Sequence, residues 1–152
     1  MKIRPATAAD HGAILALVPR ISDVGSPSHR TVEETLAADL RAVGESLASD
    51  SREVAVLVAE EKGRVVGFVH LQTSDDYYSN RPIGHVADVA VDPALEGRGI
   101  ARALMAAAED WARARGYALM DLNVVPGNER ARVLYERLGY RPEWTKFVKR
   151  LE

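Results

Sequence analysis

Glycines gather where an apolar run gives way to a helix-like segment: Val89-Ala90-Val91-Asp92-Pro93-Ala94-Leu95-Glu96-Gly97-Arg98-Gly99-Ile100-Ala101. Without a Cβ at 97 and 99, the backbone can turn tightly and approach a ligand. The first N–H groups of a helix lack carbonyl partners and lie at the positive end of its dipole. That combination suits a pyrophosphate. Two common phosphate motifs do not fit: Arg102 stands where a dinucleotide fingerprint needs its third Gly or Ala, and no Gly-Lys-Ser/Thr follows. The chain has no cysteine, which excludes disulfides, thiolate metal sites and an acyl-cysteine intermediate. Its four histidines, His11, His29, His70 and His85, lack the close helical spacing of zinc sites, so no metal is expected.

The elements that must position this turn follow from periodicity and caps. Lys2 to Ala6 reads as a short strand, and Thr7 to Asp10 as a capping box opening a helix through Val18. Pro19 to Arg30 is loop-like, and a second capping box at Thr31 to Glu34 starts a helix with Val32, Leu36, Leu40, Val43 and Leu47 on one face. Glu53 to Glu60 and Arg64 to Leu71 form a hairpin about Glu61-Lys62-Gly63. Thr73 to Gly84 reads as a polar loop, and His85 to Val91 as a strand ending at Asp92-Pro93. Ile100, Leu104, Ala107 and Trp111 share the face of a long helix closed at Gly116. Tyr117 to Val125 is a strand, Asn128 caps a helix carrying Ala131, Leu134, Tyr135 and Leu138, and Phe147-Val148 suggests a last strand. The order β-α-α-β-β-β-α-β-α-β describes one α/β (α+β) domain over residues 1–152, with helices on both faces of a mixed central sheet.

Length and composition agree. The 152 residues are enough for one core, and 47% apolar with 28% charged residues is ordinary for a globular domain. A net charge of -2 without a dense basic block argues against nucleic acid. No apolar run approaches a membrane span and the N-terminal residues lack a signal-peptide core, so no membrane is expected and the cytoplasm is the expected compartment.

The glycine turn resembles the signature of the GCN5-related N-acetyltransferase superfamily, in which a strand ending in Val-x-Pro leads into Gln/Arg-x-x-Gly-x-Gly/Ala. Gly99 and Ala101 fill the last two places. A second motif of the superfamily, Asn-x-x-Ala-x-x-x-Tyr-x-x-x-Gly-Phe/Tyr, is matched throughout by Asn128, Ala131, Tyr135, Gly139 and Tyr140. The resemblance is good over about residues 53 to 140 and holds only in outline before that.

The resemblance implies acetyl-CoA as cosubstrate, held by Val89, Ala90, Val91, Glu96, Gly97, Arg98, Gly99, Ile100, Ala101, Arg102, Asn123, Asn128, Ala131 and Tyr135. It implies that the strand lends backbone groups to the pantetheine arm, with an N–H of Val91 or Val89 polarising the thioester, and that Tyr135 protonates the leaving thiolate. It points to Asp88, then His85, as the base that frees the acceptor amine, and by analogy to a homodimer. The implied acceptor is a small-molecule or peptide amine, and Asp75, Asp76, Tyr77 and Tyr78 lie where the superfamily often shapes its site. One departure stands out. Glu96 occupies the usual Gln/Arg place, so either it turns outward and backbone donors suffice with Arg98 and Arg102, or cofactor binding weakens. The first is favoured, since helix N-termini bind phosphate mainly through backbone donors. The weaker alternative makes the chain a non-catalytic acyl-CoA-binding module.

Overall fold

The computed structural model covers residues 1–152 and places five strands in one sheet in the order β1-β2-β3-β4-β5. They are β1 (Lys2–Pro5), β2 (Val54–Glu61), β3 (Arg64–Asp75), β4 (Pro82–Val91) and β5 (Met120–Leu122). The first three pairings are antiparallel and β4 with β5 is parallel. Four helices, α1 (His11–Leu17), α2 (Val32–Leu47), α3 (Ile100–Ala114) and α4 (Glu129–Arg137), accompany the sheet. No helix is long and apolar enough to cross a membrane.

Strand alternation divides the core in two. Val56, Val58, Phe68 and Ala90 pack with Ile14, Val18 and Val43 of the α1–α2 side. Ala59, Val69, Leu71 and Val86 pack with Ile100, Leu104, Met105, Ala108, Trp111 and Ala112 of α3 on the other side. Helices thus cover both faces. Phe68 is fully buried, a contribution of about 1.5–3 kcal/mol from its side chain alone.

Caps set the helix starts. The Thr31 hydroxyl accepts from the Glu34 N–H (3.1 Å), and the Glu34 carboxylate accepts from the Thr31 N–H (2.9 Å). Near the chain start, Asp10 is buried, accepts from the Thr7 N–H (2.7 Å) and from Arg4 (2.7 and 3.0 Å), and its carboxyl is held far below the usual range by Arg4.

Four expectations change. Val18–Val24 is a 3-10 segment rather than loop from Pro19. The stretch read as a loop from Thr73 to Gly84 is half strand, because β3 runs to Asp75 and β4 starts at Pro82; only the tip between them is loop. The last strand does not form: residues 140–152 carry no regular structure, and Phe147 is 91% exposed. Arg141, Glu143, Lys146, Lys149 and Arg150 break up its apolar residues, leaving too little surface to bury. β5 is also shorter than the expected Tyr117 to Val125, and this shortening opens the site.

Candidate functional site

The parallel pairing of β4 with β5 covers only Gly84 with Met120, His85 with Asp121 and Val86 with Leu122. Gly84 permits this close approach, since a Cβ there would lie 3.1 Å from Met120 Cγ and 3.3 Å from Ala112 Cβ. Beyond Val86 the strands part, so the stretch Ala87 to Val91 presents backbone donors and acceptors along an unpaired edge. A cleft of about 950 Å³ follows that edge, roofed by α4 and running from the Gly97–Gly99 turn to Asp88 and Tyr135. Val89, Ala90, Val91, Ile100, Ala101, Asn123, Asn128 and Ala131 all line it.

At its mouth, Gly97 and Gly99 hold φ of 79° and 81°. A Cβ at either would meet nothing within 4 Å, so this conformation, and not crowding within the chain, is what calls for glycine. The first intrahelical bond of α3 runs from the Ala103 N–H to the Gly99 carbonyl (3.0 Å), which leaves the N–H groups of Ile100, Ala101 and Arg102 unpaired within the helix. Glu96 lines the mouth but is ion-paired with both Arg20 and Arg130. Arg98 turns away to Glu61 (3.7 Å) and does not line the cleft, whereas Arg102 does.

At the inner end, one irregularity decides where Asp88 points. His70 pairs with Asp88 and Leu71 with Val86, so Ala87 is an extra residue in β4, a bulge at the point where β5 departs. Strict alternation would send Asp88 to the same face as Val86, against α3; the bulge turns it to the α2 face. There the His70 ring, fully buried, places Nδ1 3.1 Å from Asp88 Oδ2 and Nε2 2.7 Å from Ser46 Oγ on α2.

Asp39, also on α2, is pushed up to about 6, by burial first and then by the Asp88 charge, with His70 opposing. A carboxyl that holds its proton more tightly folded than unfolded contributes stability at low pH and loses it as pH rises through about 4 to 6. Asp39→Asn is therefore expected to raise Tm at about pH 8, with the gain vanishing near pH 4. Equal gains at both pH values would contradict this account.

Tyr135 reaches the same end from α4. Burial first, and the Asp88 charge second, raise its hydroxyl above the ordinary phenol value, so it is protonated at neutral pH. Its ring meets Tyr140 edge-on at 6.1 Å. Asn128 caps α4, its side chain accepting from the Ala131 N–H (3.2 Å). His85, the second base candidate, instead pairs with exposed Asp121 on β5 (2.7 Å) and does not line the cleft. Asp75 to Tyr78 lie at the β3–β4 tip, away from the lining; Asp76 there accepts from the Ser79 N–H (2.9 Å) and hydroxyl (2.6 Å).

The residues missed from sequence are Arg20, Arg130, His70, Ser46 and Asp39. Arg20 and Arg130 could have been found as cations without an assigned face, but their common partner Glu96 is 76 and 34 positions away.

Residues 20–140 match the family model of the acetyltransferase (GNAT) family. A mycothiol acetyltransferase of Propionibacterium freudenreichii is 41% identical over 86 residues, covering 56% of this chain and 27% of that protein. The chain spans about a quarter of the length of that curated relative. Among solved structures, ribosomal-protein-alanine N-acetyltransferase from Brucella melitensis superposes with a TM-score of 0.73 (24% identity, 99% of this chain and 100% of that one). The aminoglycoside acetyltransferase AAC(6')-Iy, in complex with a CoA bisubstrate analogue, gives 0.75 (23% identity, 99% and 97%). With the motifs, the divided sheet and four-fifths of its residues in agreement, the chain belongs to the acetyltransferase (GNAT) family.

Proposed function

We propose that the chain is an acetyl-CoA-dependent N-acetyltransferase that passes the acetyl group directly to a primary amine of a small molecule or peptide. The observation that carries this reading is a single cleft joining the glycine-capped start of α3 to Asp88 and Tyr135 along an open strand edge. The residues fit acetyl-CoA: the free N–H groups of α3 and Arg102 suit its phosphates, and the edge of β4 suits its amide-bearing arm. An N–H of Val91 or Val89 is assigned to polarise the thioester carbonyl.

The acceptor arrives as an ammonium and must shed two protons. Asp88 takes the first, which frees the lone pair; the C–N bond then forms as the C–S bond breaks. Tyr135 gives its proton to the departing sulfur and recovers one from the acylated nitrogen. The first proton passes from Asp88 to solvent. No group of the chain is acylated, in keeping with the absence of cysteine.

A titration with acetyl-CoA, with ATP and NAD as controls, tests the reading, followed by thiol release across a panel of amines. Selective binding and release support it; no binding, or no release with any amine, overturns it, and ping-pong kinetics contradict direct transfer. Sedimentation and cell fractionation test the cytoplasmic homodimer expected from the sequence.

The ion pairs of Glu96 remove the main support for a purely sensory module, since the acid is neutralised by two arginines. They also imply competition, because the same guanidinium groups face arriving phosphates. Glu96→Gln is expected to tighten acetyl-CoA binding roughly fivefold at low salt, about 1 kcal/mol, with the gain shrinking as salt rises. Weaker binding in this variant would make Glu96 an organiser of the two arginines and not their competitor.

A further inference from the structure

The pair made by His70 and Asp88 is not used by either signature motif, yet it joins three elements at the inner end of the cleft. His70 is 0% exposed and comes from β3, Ser46 from α2 and Asp88 from β4. A fully buried imidazole with a polar partner at each nitrogen is fixed in orientation and tautomer. When the Ser46 hydroxyl donates to Nε2, the ring proton resides on Nδ1 and is donated to Asp88 Oδ2. That engages one carboxylate oxygen and leaves Oδ1 free. The groups that face Asp88 are His70 from β3, Asp39 from α2 and Tyr135 from α4.

We propose that His70 is the positioning residue of the acetyl transfer, holding Asp88 by one oxygen so that the other receives the proton of the amine, with Ser46 setting the tautomer. This rests on the amine-transfer reading above. The Ala87 bulge aims Asp88 toward α2, and there the His70 ring meets one of its oxygens at 3.1 Å.

Two measurements decide it. Nitrogen-15 NMR of the imidazole rings in the intact chain at about pH 8 is expected to place the His70 proton on Nδ1; a proton on Nε2 alone overturns the proposal, since Nδ1 could not then donate to Asp88. Kinetics are then followed across pH with the fastest amine from the panel. His70→Ala is expected to lower kcat roughly 30-fold with KM for acetyl-CoA within about twofold, and to move the acidic limb of the kcat/KM profile. His70→Asn, whose amide N–H stands near the place of Nδ1–H, recovers roughly tenfold of that loss, and Ser46→Ala loses only about threefold. If His70→Ala does not fold, His70→Asn and Ser46→Ala carry the test through the same pH limb. Turnover with an unmoved limb in every folded variant sinks the positioning role and leaves acetyl transfer standing. No turnover of the wild-type chain with any amine sinks the transfer reading itself.

Discussion

Tyr135→Phe is expected to lower kcat about 100-fold, or about 2.7 kcal/mol, while the Kd for acetyl-CoA stays within about twofold. The substitution removes one oxygen and keeps the ring that packs edge-on with Tyr140 and against the α3-side core. Tm should therefore change little. The hydroxyl is suited to donate because burial and the nearby Asp88 charge both disfavour its ionised form. A thiolate forming beside it would draw its proton, and phenylalanine has none to give. Stopped turnover with retained binding separates this role from a scaffold role; unchanged kcat would remove the tyrosine from the chemistry.

The second large effect is expected at the mouth. Gly99→Val forces a β-branched side chain to φ near 81°, a strain of about 1–3 kcal/mol, and should lower Tm by roughly 3 to 8 °C. It should also raise the Kd for acetyl-CoA more than about tenfold, because Gly99 sets the direction of the unpaired N–H groups that follow it. Gly63, in the β2–β3 turn with φ near 75°, supplies the control. Gly63→Val carries the same strain away from the cleft and should lower Tm without changing acetyl-CoA binding. Equal loss of binding in both variants would reduce the effect at Gly99 to general destabilisation.

These contrasts show which parts of the site were legible in the sequence. The start of α3 and the cap of α4 could be read because their signals are local: two glycines before an apolar stripe, and an Asn three residues before the Ala131 N–H it accepts from. The orientation of Asp88 could not be read, because alternation assigns it the face of Val86 and a bulge at Ala87 reverses the assignment. A bulge leaves no mark in residue types when the extra residue is an alanine. Glu96 was open for a different reason. Its partners arrive from the segment after α1 and from the first turn of α4, and only the packed chain brings two arginines to one carboxylate. The final strand failed in the opposite sense. Phe147 and Val148 have strand-forming side chains, but charged neighbours deprive the segment of a face to bury.

The short seam from Gly84 to Val86 sets a conflict between cohesion and access. Along it the sheet is zipped, with Gly84 allowing β5 to press against β4. Above it every further pair that formed, beginning with Ala87 and Asn123, would add backbone hydrogen bonds and shut the slot through which a ligand reaches the strand. Variants chosen for heat resistance alone would be drawn toward a longer zipper. The fold therefore keeps part of its possible stability unspent, and a laboratory selection that rewards Tm without monitoring acetyl-CoA binding should close this sheet and silence the protein together.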